Sequence, residues 1–178
     1  MEILKIEPRP VILINHKVYK FFKSDLECKN EIKRINSSPI SELYDEVSQY
    51  KMRFVKILEI NEYFYCMEQA NGRCLSFANN IEDFQLAGRW LRCFHDLTYD
   101  DKNKKVFLFG DFIAPHLFVD HELKEINTID PGTSFGTFGE IEIDISRFLV
   151  SLFQTKNLNI IKLNRVVTGF LGGYGIEK

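Results

Sequence analysis

The sequence predicts an α+β fold in which a β-rich first part with one helix precedes a mainly helical second part. Runs of β-branched and aromatic residues dominate the first part, and helical spacing of apolar residues dominates the second. All ten glycines lie at or after Gly72. We therefore expect an N-terminal unit over residues 1–70, a small antiparallel sheet with a helix, and a mainly helical C-terminal unit over residues 71–178.

Two strands and a helix are predicted at the start of the chain. The runs "VILIN" and "VYKFF" are separated by His16-Lys17, a spacing typical of a hairpin. In the next segment Ser24 or Asp25 can cap a helix, which Ser37-Ser38-Pro39 ends. A second short helix is predicted for "ISELYDEVSQY".

The remaining elements follow in the same way. The runs "RFVKILEI" and "YFYCMEQ" predict two strands joined by a turn at Asn61-Glu62. Helices are predicted for "IEDFQLAGRWLRCFHDL", "IDISRFLVSLF" and "IIKLNRVVTGFL", and short strands alternate with turns between the first and second of these.

Composition excludes several classes of protein. The chain has 178 residues, with 23 Lys and Arg against 25 Asp and Glu, so a broad nucleic-acid or membrane-binding surface is not expected. No apolar run approaches the roughly 20 residues of a transmembrane helix, and the N-terminus does not resemble a signal peptide. The four widely spaced cysteines predict free thiols in a cytoplasmic protein rather than a zinc site.

Two aspartates stand out in the second part. Asp111 and Asp130 each follow a short apolar run and lie beside Gly or Pro, as loop-borne functional residues often do. Nineteen positions separate them, which is room for one hairpin that would bring the carboxylates together. Paired carboxylates attract Mg²⁺. The alternative is that both are ordinary turn or capping residues.

Several motifs, taken in order, resemble one known family. "FGDFIAPHLFVD", "TIDPG" and "EIDISRFL" resemble the catalytic and metal-binding segments of the aminoglycoside phosphotransferases and the similar lipopolysaccharide core kinases. Upstream, "VYKFF", "KNEIKRI", "CMEQANGRCL" and "AGRWLRCFHDL" resemble that family's strand lysine, helix glutamate, hinge and Leu-His helix, and "FLGGY" resembles a late helix motif. The resemblance implies a protein-kinase-like two-lobe fold, with a reduced N-terminal β lobe and a mainly helical C-terminal lobe.

The resemblance also implies roles for individual residues. Asp111 would be the catalytic aspartate that orients the acceptor hydroxyl and takes its proton, and Asp130 would hold Mg²⁺ against the phosphates of ATP. Lys20 would contact the α- and β-phosphates, with Glu31 pairing to fix it. Lys23 and Glu27 are the alternatives to these two.

Further positions follow from the same comparison. The hinge residues Glu68, Gln69 and Ala70 would offer backbone groups to the adenine. Asp144, with Arg147 one turn later, would brace the catalytic loop by hydrogen bonds. His95 is interpreted as a structural histidine rather than a catalyst.

The sequence departs from the family pattern at three places. Phe109 replaces the usual histidine before Gly-Asp. His116 stands where the family has a metal-binding asparagine, and because Mg²⁺ prefers oxygen ligands, a one-metal mechanism or a preference for Mn²⁺ becomes an alternative. About ten residues precede "VILIN", and none is glycine, so the nucleotide lid is expected to be abbreviated or absent.

The sequence therefore predicts a small atypical kinase that transfers the γ-phosphate of ATP to a hydroxyl, with a sugar or glycolipid favoured over a protein as the acceptor. The alternatives are a pseudokinase that serves as a binding or regulatory module, a protein kinase, and an unrelated α+β protein with coincidental motifs.

Overall fold

The computed structural model of the chain describes residues 2–5, 9–38, 42–130, 132, 135, 137–153 and 159–176. In these ranges the strands are β1 (Glu2–Lys5), β2 (Val11–Ile14), β3 (Lys17–Phe21), β4 (Glu42–Asp45), β5 (Tyr50–Phe54), β6 (Ile57–Ile60), β7 (Phe64–Glu68), β8 (Arg73–Cys74), β9 (Val106–Phe107), β10 (Leu117–Asp120), β11 (Glu125–Thr128) and β12 (Phe138–Gly139). The α-helices are α1 (Asp25–Asn36), α2 (Ile81–Thr98), α3 (Ile141–Phe153) and α4 (Ile160–Tyr174). The predicted α+β class is confirmed.

The first sheet forms the N-terminal lobe. Its strands follow the order β1-β2-β3-β7-β6, and each neighbouring pair is antiparallel. Helix α1 packs on it and begins where predicted, because the Ser24 hydroxyl accepts a hydrogen bond from the backbone N–H of Glu27 at 3.2 Å. Cys28 and Ile32 of α1 join Val18 and Tyr65 of the sheet in a small core.

A second sheet, with the order β4-β5-β11-β10-β8, lies against the helical part of the chain. The predicted helix over "ISELYDEVSQY" is wrong where the structure describes it, because residues 42–45 form β4. Strand β5 pairs in parallel with β11, and buries Tyr50 and Met52 in the larger core. The division at residue 70 stays a prediction, although the hydrogen bonds and core contacts of residues 42–54 join this hairpin to the second half of the chain.

The helical part is the C-terminal lobe, and its closest helix pair is α2 and α4. Gly88 of α2 lies so near the Phe170 carbonyl, and Gly173 of α4 so near the Gln85 carbonyl, that an added Cβ would stand 2.1 and 2.0 Å from those oxygens. A core rich in aromatic residues fills the space between these helices, α3 and the second sheet. Its fully buried large aromatic side chains are Trp90, Phe84, Phe94, Phe109, Phe112, Phe148 and Phe170.

Two further predictions can be compared with the structure. All four cysteines are free, as predicted. Within the described residues, no helix combines the length and the apolar character needed to cross a membrane.

Candidate functional site

The loop that carries Asp111 is held by a buried carboxylate. Strand β9 ends at Phe107, and Gly110 then takes a left-handed conformation with φ of 87°. The two carboxylate oxygens of Asp144, which is fully buried, accept hydrogen bonds from the backbone N–H groups of Phe109 and Gly110 at 2.7 and 2.8 Å. The loop is therefore braced as predicted, and the Asp111 side chain, 41% exposed, projects at the edge of the core instead of being buried in it.

Asp144 is itself positioned by a chain of contacts from α2 and α4. His95 is buried, with Nε2 3.2 Å from the Asp144 carboxylate and Nδ1 2.8 Å from the Tyr174 hydroxyl. Because a carboxylate accepts, Nε2 carries the proton and Nδ1 accepts from the tyrosine. Burial raises the pKa of Tyr174 to about 12, which keeps its hydroxyl protonated as a donor. His95 is thus structural, as the sequence indicated.

His116 lies beside the loop that carries Asp111, at the end of a short 3₁₀ turn over Ala114–His116. Its Nδ1 is 3.2 Å from the backbone oxygen of Asp111 and 3.6 Å from the Asp111 carboxylate. A carbonyl oxygen only accepts, so Nδ1 carries the proton and Nε2 holds the lone pair in the neutral ring. His116 also lines the cleft between the lobes together with Asp130.

A second group of charges connects the first sheet to Asp130 across that cleft. Lys20 of β3 is nearly buried, and its ammonium lies 2.8 Å from Glu31 of α1 and 2.5 Å from Asp130. The structure therefore brings together three residues predicted separately, from a strand, a helix and a loop. Lys23 and Glu27, the alternatives to Lys20 and Glu31, line the same cleft.

Asp130 follows β11 and has a positive φ of 53°. Partial burial by itself would raise the pKa of its carboxyl, but the Lys20 ammonium outweighs burial and holds the pKa below its usual value. Asp130 is consequently an anion at neutral pH, with its charge directed at the lysine.

The cleft between the lobes has a volume of about 850 Å³. Apolar side chains from both lobes line it, including Val11, Val18, Met67 and Ile129, and the hinge residues Glu68, Gln69 and Ala70 border it. The Glu68 side chain turns away to Arg53, which also pairs with Glu125 at 3.6 Å. The cleft has the size and the mixed apolar and charged lining of a small-molecule site.

A smaller depression of about 240 Å³ holds both aspartates. Asp111, Asp130 and Gly132 line it, and an added Cβ on Gly132 would lie 2.7 Å from the Asp111 Cβ. The backbone at Gly132 therefore lies too close to the loop that carries Asp111 for any larger residue at this position. Pro131, which belonged to the predicted metal motif, lies outside the described residues.

The hairpin over the cleft is short but present. Strand β1 pairs with β2, and Leu4 and Lys5 line the cleft, whereas residues 6–8 lie outside the described part of the chain. Two strands of four residues each therefore lie at this edge of the cleft, and their role as an abbreviated nucleotide lid stays a prediction.

Sequence analysis missed three residues of the site. Arg9, between β1 and β2, donates to Glu31 at 2.5 Å and lies over the Phe22 ring at 5.1 Å. Tyr65 donates its hydroxyl to Glu31 at 2.8 Å, and burial raises its pKa well above its usual value. Arg34 approaches the same carboxylate at 3.9 Å. No motif marked these positions; the only signal was the spacing of Arg34 three residues after Glu31 on α1.

A divalent cation fits the acidic end of the cleft in its donor chemistry. Asp130 and Asp111 supply oxygen ligands, which Mg²⁺ prefers, and His116 supplies a nitrogen, which suits Mn²⁺ better. In the part of the chain that the structure describes, no three Asp, Glu, His or Cys side chains form a ready metal cage. Mg²⁺ commonly takes one or two carboxylates and completes its shell with substrate phosphates.

Comparison with known proteins identifies the fold. The structure is similar to aminoglycoside phosphotransferase APH(3'')-Id from Streptomyces rimosus, with a TM-score of 0.67 and 10% identity over 99% of this chain and 86% of that one. The same enzyme in complex with ADP and streptomycin gives a TM-score of 0.62 and 10% identity over 95% and 84%. Amicoumacin kinase hAmiN, in complex with AMP-PNP, Ca²⁺ and its ligand Ami, gives 0.63 and 14% over 98% and 71%. No protein-family model and no curated protein sequence matches the chain.

The chain therefore has a protein-kinase-like two-lobe fold of the kind found in aminoglycoside phosphotransferases, as the sequence motifs predicted.

Proposed function

We propose that the protein is a phosphotransferase that moves the γ-phosphate of ATP to a hydroxyl group of a small acceptor. The observation that carries this proposal is the position of Lys20 in the cleft. Its ammonium contacts both Glu31 and Asp130, and His116 lines the same cleft. The similar folds solved with AMP-PNP and ADP support a nucleotide as the occupant.

The nucleotide is proposed to lie with its adenine against the hinge and its phosphates towards Lys20. Val18, Met67 and Ile129 supply an apolar surface on which a base can pack, and Gln69 and Ala70 border that end of the cleft. Lys20 lies at the charged end, where a single ammonium with three donors can bind the α- and β-phosphates.

Binding of phosphates requires Lys20 to exchange partners. Its ammonium now contacts Asp130 at 2.5 Å, so phosphate oxygens would replace that carboxylate while Glu31 keeps the lysine in place. Asp130, together with His116, would hold Mg²⁺ or Mn²⁺, and the cation would supply neutralisation of charge on the phosphate oxygens.

Asp111 is proposed to orient the acceptor hydroxyl and to accept its proton. Its carboxylate lies in the depression beside Asp130, on a loop whose backbone is fixed by Asp144. Phosphoryl transfer depends mainly on positioning and charge stabilisation, and a braced aspartate next to the phosphate position supplies the first of these.

The acceptor is proposed to be a hydroxyl of a sugar or glycolipid. The similar enzymes include an aminoglycoside phosphotransferase in complex with streptomycin, and aminoglycosides carry sugar hydroxyls. A screen of sugars, glycolipids and a generic protein substrate with labelled ATP distinguishes this acceptor class from a protein acceptor.

The decisive experiment combines nucleotide binding with turnover. Titration of ATP and GTP with Mg²⁺ or Mn²⁺ should raise the melting temperature of the protein, and Asp130→Ala should remove the metal-dependent part of that shift. Asp111→Ala should lower turnover by about 10²- to 10⁴-fold and leave ATP binding intact.

Asp101→Ala is the matched control, since its side chain is 93% exposed, and it should behave as wild type. Equal turnover in the Asp111 variant would refute the proposed role of that residue. Binding of ATP without transfer to any acceptor would favour the binding-module alternative.

A further inference from the structure

Three arginines from separate elements meet at the depression that contains Asp111. Arg9 comes from the β1–β2 connection, Arg34 from the last turn of α1 and Arg147 from α3, and all three line the same space of about 240 Å³. Arg9 also lines the larger cleft, so its side chain stands at the boundary of the two spaces. None of these arginines has a part in the nucleotide and acceptor roles proposed above.

Three arginines and three carboxylates line this depression, and Lys20 of the adjoining cleft adds a fourth cation. Arg9 lies 2.5 Å, Arg34 3.9 Å and Lys20 2.8 Å from the carboxylate of Glu31, and Lys20 also pairs with Asp130. Three cations thus face two carboxylates.

Arg147 and Asp111 line the same depression with opposite charges, so among these described side chains the cations outnumber the carboxylates by one. The carboxylate of Glu31 is 1% exposed, which leaves it unable to accept a further cation from solvent. An anion is the group that this arrangement favours.

The hydrogen-bonding capacity of Arg34 supports the same conclusion. The distance from the Arg34 guanidinium to the Glu31 carboxylate, 3.9 Å, is too long for a hydrogen bond. Among the described residues, the Nε of Arg34 is a buried donor without a hydrogen-bond partner. A buried donor left unpaired is costly, and such a group in a native protein calls for a partner. Guanidinium groups pair with phosphate oxygens in bidentate fashion, which makes phosphate a suitable partner after a small movement of the side chain.

The geometry points to an oxyanion-binding subsite, formed by Arg9, Arg34 and Arg147, that takes a phosphate group beside Asp111. This phosphate has two sources: the terminal phosphate of the nucleotide, or a phosphate already carried by the acceptor. The role of that phosphate in the reaction rests on the proposed function. Binding of the phosphate to the subsite does not, because it requires no turnover.

The subsite is tested by calorimetric titration of the full chain with inorganic tripolyphosphate, without nucleotide or metal. Wild-type protein should bind the probe, and Arg9→Gln, Arg34→Gln and Arg147→Gln should each weaken binding by about 10- to 100-fold. Arg165→Gln is the matched control, because Arg165 is an exposed arginine of α4 that lines neither space, and it should bind as wild type. Absence of binding in wild type, or weakened binding in fewer than two of the three variants, overturns the subsite.

Two further variants separate loss of the site from loss of the fold. Arg9→Lys and Arg34→Lys keep the charge beside Glu31 but remove the planar fork, so they should fold with melting temperatures near that of wild type and bind the probe with intermediate affinity. Wild-type affinity in both lysine variants and in both glutamine variants would contradict the subsite.

The source of the phosphate is resolved by comparing ATP with AMP. If the subsite takes the terminal phosphate of the nucleotide, the glutamine variants weaken ATP binding and leave AMP binding unchanged. If it takes a phosphate of the acceptor, ATP binding is unchanged and inorganic phosphate still binds to protein saturated with AMP-PNP. A protein that binds tripolyphosphate through these arginines but transfers no phosphate contradicts the proposed function alone.

Discussion

The contact between α2 and α4 gives the sharpest test of the fold, through two adjacent glycines. A Cβ at Gly173 would lie 2.0 Å from the Gln85 carbonyl oxygen and 2.7 Å from its carbon, whereas a Cβ at Gly172 meets nothing within 4 Å. Both glycines belong to the same helix, so the effect of helix propensity is shared and only the contact differs.

Gly173→Ala should therefore destabilise the protein. Ordinary contact with a backbone oxygen requires more than 1 Å of additional separation, which the helix pair can gain only by moving apart, and overpacking of this kind costs about 3 kcal/mol. Gly172→Ala should stabilise the helix by about 0.5–1 kcal/mol. For a chain of this length, the melting temperature should fall by about 6–12 °C in the first variant and rise slightly in the second.

Urea unfolding, followed by the fluorescence of Trp90, the single tryptophan of the chain, in the aromatic core on another side of α2, measures both changes. Under the proposed function, the Gly173 variant should also lose phosphoryl transfer more than nucleotide binding, because Tyr174 contacts His95 and, through it, the buried Asp144 carboxylate that holds the Asp111 loop. Equal stability of the Gly173 and Gly172 variants would refute the close approach of the two helices.

Three other predictions follow from buried hydrogen bonds. Asp144→Asn keeps one acceptor oxygen for the N–H groups of Phe109 and Gly110, so we expect a loss of about 2–4 kcal/mol in the free energy of unfolding, and slower turnover. Unchanged stability of this variant in urea unfolding would contradict the bracing of the loop by Asp144. The pKa of Tyr174 is raised from 10.0 to about 12, so a stability change with pH is expected: the destabilisation is absent below pH 10 and grows as the pH rises from about 10 to 12. The urea midpoint of the wild type should fall over this range, and it should fall less steeply in Tyr174→Phe. Tyr65→Phe removes the neutral donor to the buried carboxylate of Glu31 and should cost about 1–2 kcal/mol, and a thermal melt unchanged by the substitution would show that this hydrogen bond contributes nothing.

The residues that sequence analysis predicted best are those marked by local context. Asp111 and Asp130 each follow an apolar run, whereas Lys20 and Glu31 were assigned by the family resemblance, with Lys23 and Glu27 as the alternatives. Local context also fixed the start of α1, because a capping serine acts within one turn. The family resemblance then ordered these positions along one chain.

Long-range pairing explains what the sequence did not predict. The segment "ISELYDEVSQY" has charged residues at helical spacing, but its neighbour β5 finds a parallel partner in β11, more than 70 residues later, and the described part of the segment becomes the edge strand of that sheet. Arg9 contacts Glu31 across 22 positions and belongs to no motif. Neither contact produces a local signal, because each depends on an element placed by the completed fold.

The parallel pairing of β5 with β11 limits how the cleft can open. Strand β11 leads to Asp130, while β5 passes through Val55 and Lys56 into β6 of the other lobe, and the Val55 N–H donates to the Thr128 oxygen at 3.1 Å. The two walls are therefore connected behind the cleft as well as at the predicted hinge, so any opening of the cleft must also bend the chain at Val55 and Lys56.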